Sequence, residues 1–575
     1  MKTRGLYGRL IAGSQSISTR RLLIFLFGIF LLSFSALLFV PSAIFASNDS
    51  KSVLQFAPGA VSEKFHELNP FKSTTHKPPV PQLNSTGSTN SWFSSWKWLN
   101  PFSSDLADDE ERSVLPPLLK RCPVYTFYDS TAKGEDAQVE DKLLLAWRRA
   151  YWAQGFKPII LGMAEAKEHG LYRVVRDTNK FHPDFEREIM RWLAWSHMGT
   201  GVLADYRVIP MAPWNDHTLT ALRRCDFVYA TRYENWGHRL FAGDKPSIDA
   251  VLKHITSNKL ENGTVTIEAA TKGIKDDIFH IDSIPNSFAD YTSEAIKLKY
   301  PKLEPSDLPA LINSHLHENF LSAYSAGISF LSPYTESLSA LHYPSNVLAN
   351  RIAVCPPANP QPQSCPSNKA DCKPCVKALK ITPSRVLANK TDTFSIGTIP
   401  HPYTFLVLRN PKINFSADSE DRSLRFVRRH TSRDEWLRHV TAGPPIGSAP
   451  RVVRIKQAIA SPSTSALLVT SDAGFTELDW TFGFTLPTEE ELKLDLPKPD
   501  EKQKALLETT HKDVFSQKDV RRKKLKRIVE MWNLGNTEAW KFAGAVAERA
   551  VVERRKWSEA EKPFGRGLSA EEKKE

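Results

Sequence analysis

Hydrophobic and polar positions divide the chain into blocks of different period. From Leu22 to Ala46 (LLIFLFGIFLLSFSALLFVPSAIFA) there are 25 residues without a charge. At 1.5 Å per residue a helix of that length crosses a hydrocarbon core of roughly 30 Å, so the run reads as one membrane helix. A cleaved signal peptide ending near Ala46 fits less well: its apolar region would exceed the usual length of about 7–15 residues, and Ile44 stands where such sites keep a small side chain. Residues 47–120 hold neither a 3.6 nor a 2 period. They are rich in Ser, Thr, Asn and Pro with scattered aromatics (Trp92, Trp96, Trp98, Phe102), and read as a flexible stem that buries too little surface to offset its ordering entropy.

Regular patterning begins near Arg121. Cys122 to Tyr128 (CPVYTFY) is a β-branched and aromatic run ending at Asp129, followed by a polar loop, a helical period over Val139 to Gln154 and a second strand at Lys157 to Gly162. This order predicts a βαβ unit and a parallel sheet. Pro183 to Met198 predicts an amphipathic helix stopped by Gly199-Thr200-Gly201. Val202 to Ile209 then reads as an apolar strand carrying Asp205, with a further strand at Phe227 to Thr231 and a helix at Pro246 to Ile255.

Beyond these, Asp307 to Leu331 has helical character, Cys355 to Cys375 is irregular and Pro-rich, and Phe394 to Leu408 is strand-rich around Pro400-His401-Pro402. A short helix is expected at Glu435 to Val440, strands at Leu467 to Thr470 and Trp480 to Leu486, and a charged helix at Asp519 to Lys541. The expected organisation is a tail (1–21), an anchor (22–46), a stem (47–120), an α/β domain (121–345), its Cys-containing continuation (346–487) and a charged, partly helical tail (488–575).

Composition narrows the classes. With 575 residues, 24% charged, 41% hydrophobic, 39 Pro, 26 Gly and 6 Cys, the chain is neither collagen-like, wholly disordered nor a disulfide scaffold. Its net charge of +12 sits at the two ends: Lys2, Arg4, Arg9, Arg20 and Arg21 before the apolar run, and 19 Lys and Arg against 13 Asp and Glu over residues 501–575. The middle is therefore near neutral, and no nucleic acid is expected as a partner. Arg20 and Arg21 beside the apolar run place the N-terminal tail in the cytosol and the body in the lumen, and the sequons at Asn48, Asn84, Asn262, Asn389 and Asn414 agree with that. The basic run Arg521 to Arg527 reads as a solvated helix face or a contact with acidic headgroups.

In an oxidising lumen Cys355, Cys365, Cys372 and Cys375 favour two disulfides over a zinc site, while Cys122 and Cys225 either pair or remain buried thiols.

The stretch that carries chemistry runs from Glu188 to Pro210. Glu188 and Arg191, at i and i+3, share one helix face, so a guanidinium can pair with the acid and still donate to a hydroxyl or phosphate. Gly199 and Gly201 permit a tight turn into the next strand. Asp129 and Asp205 fall at strand ends, in the crevice where open α/β sheets bind ligands.

This pattern resembles the nucleotide-sugar-binding signature of GT-A glycosyltransferases with a DxD sugar-binding region. Glu188 stands for the helical acid, Arg191-Trp192 for its Arg-Tyr, Gly199-Thr200-Gly201 for the glycine turn and Asp205-Tyr206-Arg207 for Asp-x-Asp. The strand ending at Asp129 and the phrase Trp152 to Pro158 fit the opening of that fold, so the resemblance covers about residues 121–255. The Cys-rich segment and Gly397 to Phe405 (GTIPHPYTF) are together similar to uncharacterised fungal membrane-anchored proteins, which implies no mechanism.

The resemblance implies an α/β, GT-A-like nucleotide-diphospho-sugar transferase fold with a mixed, mainly parallel sheet. It implies a nucleotide sugar donor, a glycan or glycoprotein acceptor, and Mn²⁺ or Mg²⁺ held by Asp205, which would act in catalysis. Asp129, Glu188 and Arg191 would contact substrate. One departure matters, because Arg207 takes the place of the second aspartate. A guanidinium cannot ligate a cation, so a distant carboxylate joins Asp205, or Arg207 itself brings positive charge to the phosphates, or the site is inactive and the protein a scaffold or glycan-binding partner. A hydrolase with paired carboxylates would need two acids roughly 5–9.5 Å apart, and no such pair stands out.

With the anchor, these expectations describe a single-pass type II protein of the Golgi membrane, the endoplasmic reticulum being the second choice. Lesser candidates are His315, His317 and Glu318, where i and i+2 point to different sides of a helix, and His401 and Asp479-Trp480 as acceptor-side residues.

Overall fold

A computed structural model of the chain describes residues 75–79, 120–129, 134–177, 181–257, 266–283, 286–331, 341–356, 363–369, 371–384, 390–398, 465–470, 472–502 and 534–574, with a few isolated positions besides. The expected anchor, most of the stem, all five sequons, His401, the expected helix at 435–440 and the basic run at 521–527 lie outside the described residues. The chain divides into units 1–72 and 73–575, and the second is described below. Among the described residues no helix is long and apolar enough to cross a membrane.

The second unit is a mixed α/β body with mainly parallel sheets. Its strands are β1 (Pro123–Phe127), β2 (Lys157–Leu161), β3 (Gly201–Ala204), β4 (Val208–Pro210), β5 (Ala230–Tyr233), β6 (Leu240–Gly243), β7 (Phe279–Asp282), β8 (Phe288–Asp290), β9 (Gly327–Leu331), β10 (Ile381–Ser384), β11 (Thr393–Thr398) and β12 (Ala466–Val469). The first sheet has the order β2-β1-β3-β6-β5-β7, in which β1, β2 and β3 run parallel and β6 runs against both its neighbours. The second, β10-β9-β11-β12, is parallel throughout, and β4 pairs antiparallel with β8.

Helices cover both faces of the first sheet, which is why β1, β2, β3 and β6 are mostly buried runs of apolar residues. Helix α1 (Glu135–Ala153) packs Leu143, Leu144, Trp147 and Tyr151 against Val124, Ile160 and Val202. On the opposite face α2 (Pro183–Met198) packs Ile189, Trp192 and Trp195 against Tyr125, Ile159 and Leu203. The α1 core continues without a break into Ile328, Phe330, Phe394 and Ile396 of the second sheet. The expected boundary at residue 345 therefore does not divide the core, and β9 already belongs to the second sheet.

Several expectations are corrected. The apolar run 202–209 is two strands in different sheets, because Asp205 Oδ1 accepts the Arg207 N–H at 2.8 Å and turns the chain between them. The stretch 307–331 is a helix, α3 (Leu308–Ala323), and then β9; Gly327 adopts φ +108°, and a Cβ there would lie 2.5 Å from the Lys380 carbonyl oxygen. The strand expected at Phe227 to Thr231 starts three residues late, at Ala230. Trp480 sits in a one-turn helix, α4 (Leu478–Phe482), ended by Gly483 in the left-handed region. The described part of the C-terminal helix, α5 (Leu534–Glu561), runs twenty residues past Lys541.

All six cysteines are paired, as Cys122–Cys225, Cys355–Cys375 and Cys365–Cys372. The last forty residues are not a free tail. Trp557 of α5 stacks on Trp152 at 4.7 Å, Arg554 grips Glu477 at 2.6 and 2.9 Å, and Arg121 bonds Glu553 at 2.9 Å. Nor is the whole of 47–120 a spacer, since His76 stacks on Phe564 at 3.3 Å and bonds Glu165 and Glu561.

Candidate functional site

The site is built at the carboxyl edge of β1, β2 and β3. Helix α2 starts at His182, whose Nδ1 accepts the Asp184 N–H, and stops at Gly199 with φ +96°. Gly201 opens β3 pressed against its neighbour; a Cβ there would lie 2.6 Å from the Tyr125 ring and 2.7 Å from the Pro123 carbonyl oxygen. Within α2, Glu188, Arg191, Trp192 and Trp195 form one stripe at i, i+3, i+4 and i+7. The two tryptophans are fully buried on the sheet, so the same stripe carries Glu188 and Arg191 inward. Because α2 runs back toward the amino ends of the strands, its first half lies at their carboxyl ends, beside Asp205.

Glu188 is therefore no surface partner of Arg191. Burial pushes its carboxyl above the usual carboxylate range, offset by Arg191 and His238, with the acids Glu268 and Asp205 pushing it further up. Arg191 bonds Glu188 Oε1 at 3.4 Å and gives its other donors to the carbonyls of His238 and Arg239. The Arg239 carbonyl also accepts the Asp205 N–H at 2.8 Å. Arg191 thus ties the turn that holds Asp205 to α2, as a positioning residue. Arg239 reaches Asp290 at 3.2 Å and the Thr292 hydroxyl at 3.3 Å.

Arg207 turns the other way. Its guanidinium lies over the Tyr206 ring at 5.1 Å, and its Nε is buried without a hydrogen-bond partner. Tyr206 meets Tyr128 edge to face at 5.9 Å, and both hydroxyls donate to Glu140 of α1. Asp129 follows Tyr128 and is exposed at the end of β1. The structure thus gathers Glu188, Arg191 and Asp205 in one neighbourhood, sets Arg207 on its Tyr128 side, and leaves Asp129 at the same edge on the adjacent strand.

The side chains that complete this edge were not singled out from sequence. Glu140, Arg239, Glu268 and Asp290 belong to no local pattern and arrive from separate parts of the chain. Arg566 arrives from the C-terminal segment, and its one signal is the Gly565-Arg566-Gly567 spacing.

Among the described residues no set of three metal-ligand side chains gathers at Asp205. Asp205 Oδ1 is taken by the Arg207 N–H, leaving Oδ2, which suits a cation that draws its remaining ligands from phosphates and water. Among the described residues, three ligand-type side chains approach within 4.8 Å of one another at Glu318, Cys365 and Cys372, where both cysteines are held in a disulfide. Burial lifts the Glu318 carboxyl to about 7. His315 bonds Tyr291 and Ser364, and His317 bonds the Ile352 carbonyl; burial drops them to about 3 and about 4. They are satisfied core groups. Asp479 bonds Arg149 at 2.9 Å and Thr485 at 3.1 Å, beside a cavity of about 320 Å³ lined by Lys142, Arg149, Asn313 and Phe484 that includes none of the carboxyl-edge residues.

Fold and site together define a disulfide-bonded α/β protein with a charged carboxyl edge. Residues 86–575 match the family described as Domain of unknown function (DUF8765), and the chain belongs to that family. No curated protein and no solved structure matches it.

Proposed function

We propose that the protein is a membrane-anchored lumenal glycosyltransferase with a GT-A-like domain, moving a hexose from a nucleotide sugar to a glycan or glycoprotein acceptor. The observation that carries this reading is the meeting of Asp205, in the turn after a parallel strand, with Glu188 and Arg191 of the helix before it. Donor sites of open α/β sheets form at such an edge. In this reading Asp205 faces the diphosphate, Glu188 faces the sugar, Asp129 contacts the nucleotide, and Arg207 adds positive charge as the leaving group departs. Asp205 would hold Mn²⁺ or Mg²⁺ with phosphate oxygens, and the cation would supply Lewis-acid charge stabilisation.

The three disulfides suit an oxidising compartment. With the apolar run 22–46 as a bilayer anchor, they support a type II arrangement in the Golgi membrane, the endoplasmic reticulum being the second choice. A protease-protection assay on intact vesicles should leave the body covered.

A second reading has one observation in its favour. Arg207 in place of an acid suits a catalytically inactive scaffold or glycan-binding protein. Thermal melting of the full-length protein in detergent, across a panel of nucleotide sugars with and without Mn²⁺, separates the two. A ligand at 100 times its Kd stabilises by about 2.7 kcal/mol, so a donor gives a clear shift, whereas a folded sample that responds to none supports the scaffold.

A further inference from the structure

The C-terminal segment places one more cation at this edge. Residues 562–568 cross the carboxyl ends of β1 and β2, and Arg566 Nη1 donates to the Tyr128 carbonyl at 2.6 Å and to the Leu161 carbonyl at 3.4 Å. Its guanidinium lies over the Tyr128 ring at 5.6 Å. The approach is built for closeness: a Cβ on Gly162 would lie 2.7 Å from Nη1, and Gly567, at φ +57°, would place one 2.9 Å from Leu144.

No carboxylate among the described residues lies within ion-pair distance of Arg566, although Arg148 and Arg554 nearby each have one. One nitrogen is anchored on two strand-end carbonyls, while Nε and Nη2 have no hydrogen-bond partner among the described residues. These two atoms form the edge of a guanidinium that takes phosphate oxygens in pairs. The residue is half-buried, so its solvent screening is reduced.

We infer that Arg566 is an anion-binding residue of the donor site, taking the phosphate oxygens of a nucleoside diphosphate through Nε and Nη2, so that the C-terminal segment is part of that site. This rests on the nucleotide-sugar reading above.

Isothermal titration of the full-length protein with uridine, guanosine, cytidine and adenosine diphosphates identifies the diphosphate it takes, and the matching nucleoside is titrated beside it. Arg566→Gln should weaken the diphosphate about 10- to 100-fold and leave the nucleoside unchanged, and Arg566→Lys should recover part of the loss. Gly162→Ala, which displaces the guanidinium while keeping its charge, should show the same selective loss and decides the matter if Arg566→Gln does not fold. Wild-type binding with equal affinity in a folded Arg566→Gln, or in Gly162→Ala where that variant decides, overturns this inference alone. A folded wild type that binds none of the four diphosphates overturns the donor-site reading and this inference with it.

Discussion

Two charged regions of the molecule use the same side chains to opposite ends. In the C-terminal clamp, Arg148 is buried between Glu572 at 3.4 Å and the Gly567 carbonyl, over the Trp557 ring at 4.5 Å, and Glu572 also accepts from Ser558 and Arg554. Each acid there has a base, and each base an acid. At the carboxyl edge of the first sheet the ledger stays open. Glu188 is driven toward its neutral form, and Arg566 faces carbonyls rather than a carboxylate; a buried guanidinium nitrogen without a partner occurs in both regions, at Arg207 Nε and Arg148 Nη2. Paired buried charges hold elements together, and partly satisfied ones at a strand-end crevice are poised for a charged ligand.

The comparison can be broken first in the clamp. Glu572→Ala leaves Arg148 without its acid in a buried setting, an arrangement that costs about 3–5 kcal/mol, and chemical denaturation of the full-length protein should show a loss of that size. A loss below about 1 kcal/mol would mean that the clamp is a surface contact and that the two regions do not differ.

The same test at the edge should have the opposite sign. Burial raises the Glu188 carboxyl in the folded state, so its proton stabilises the fold at low pH, and that contribution is lost as pH rises from the ordinary carboxylate range, about 4.5, through the folded value. Glu188→Gln removes the cost. Its stability relative to wild type should rise with pH above about 4.5 and then level off, by an amount smaller than the clamp effect, while donor turnover falls. A stability loss at neutral pH matching that of Glu572→Ala would place Glu188 among the structural pairs.

What the chain's pattern revealed, and what it concealed, divides along sequence distance. Helix α2 was legible to the residue, since Pro183 and Gly199 mark its ends and its apolar stripe has the right period. The βαβ opening was legible for the same reason, because β1, α1 and β2 are contiguous and each has its own period. The turn at Asp205 was not, since an apolar run on either side hides a single side chain that caps its own backbone. The C-terminal clamp was least legible: Arg148 and Glu572 are 424 residues apart, and a charged C-terminal segment reads as a tail until its partners are known. The Cys122–Cys225 bridge, closing a separation of 103 residues, was one of two open alternatives, because spacing carries no pairing information at that length. At the site, the residues on one helix face were found together, while Arg239, Glu268 and Arg566 needed the fold to bring them in.

The central claim is that Asp205 is the centre of a donor-sugar site. It is tested most directly by measuring hydrolysis of the best-binding nucleotide sugar by the full-length protein and by Asp205→Asn, with melting recorded for both. Loss of at least about 100-fold in turnover at an unchanged melting temperature is the predicted result. Equal turnover in the two proteins would contradict it.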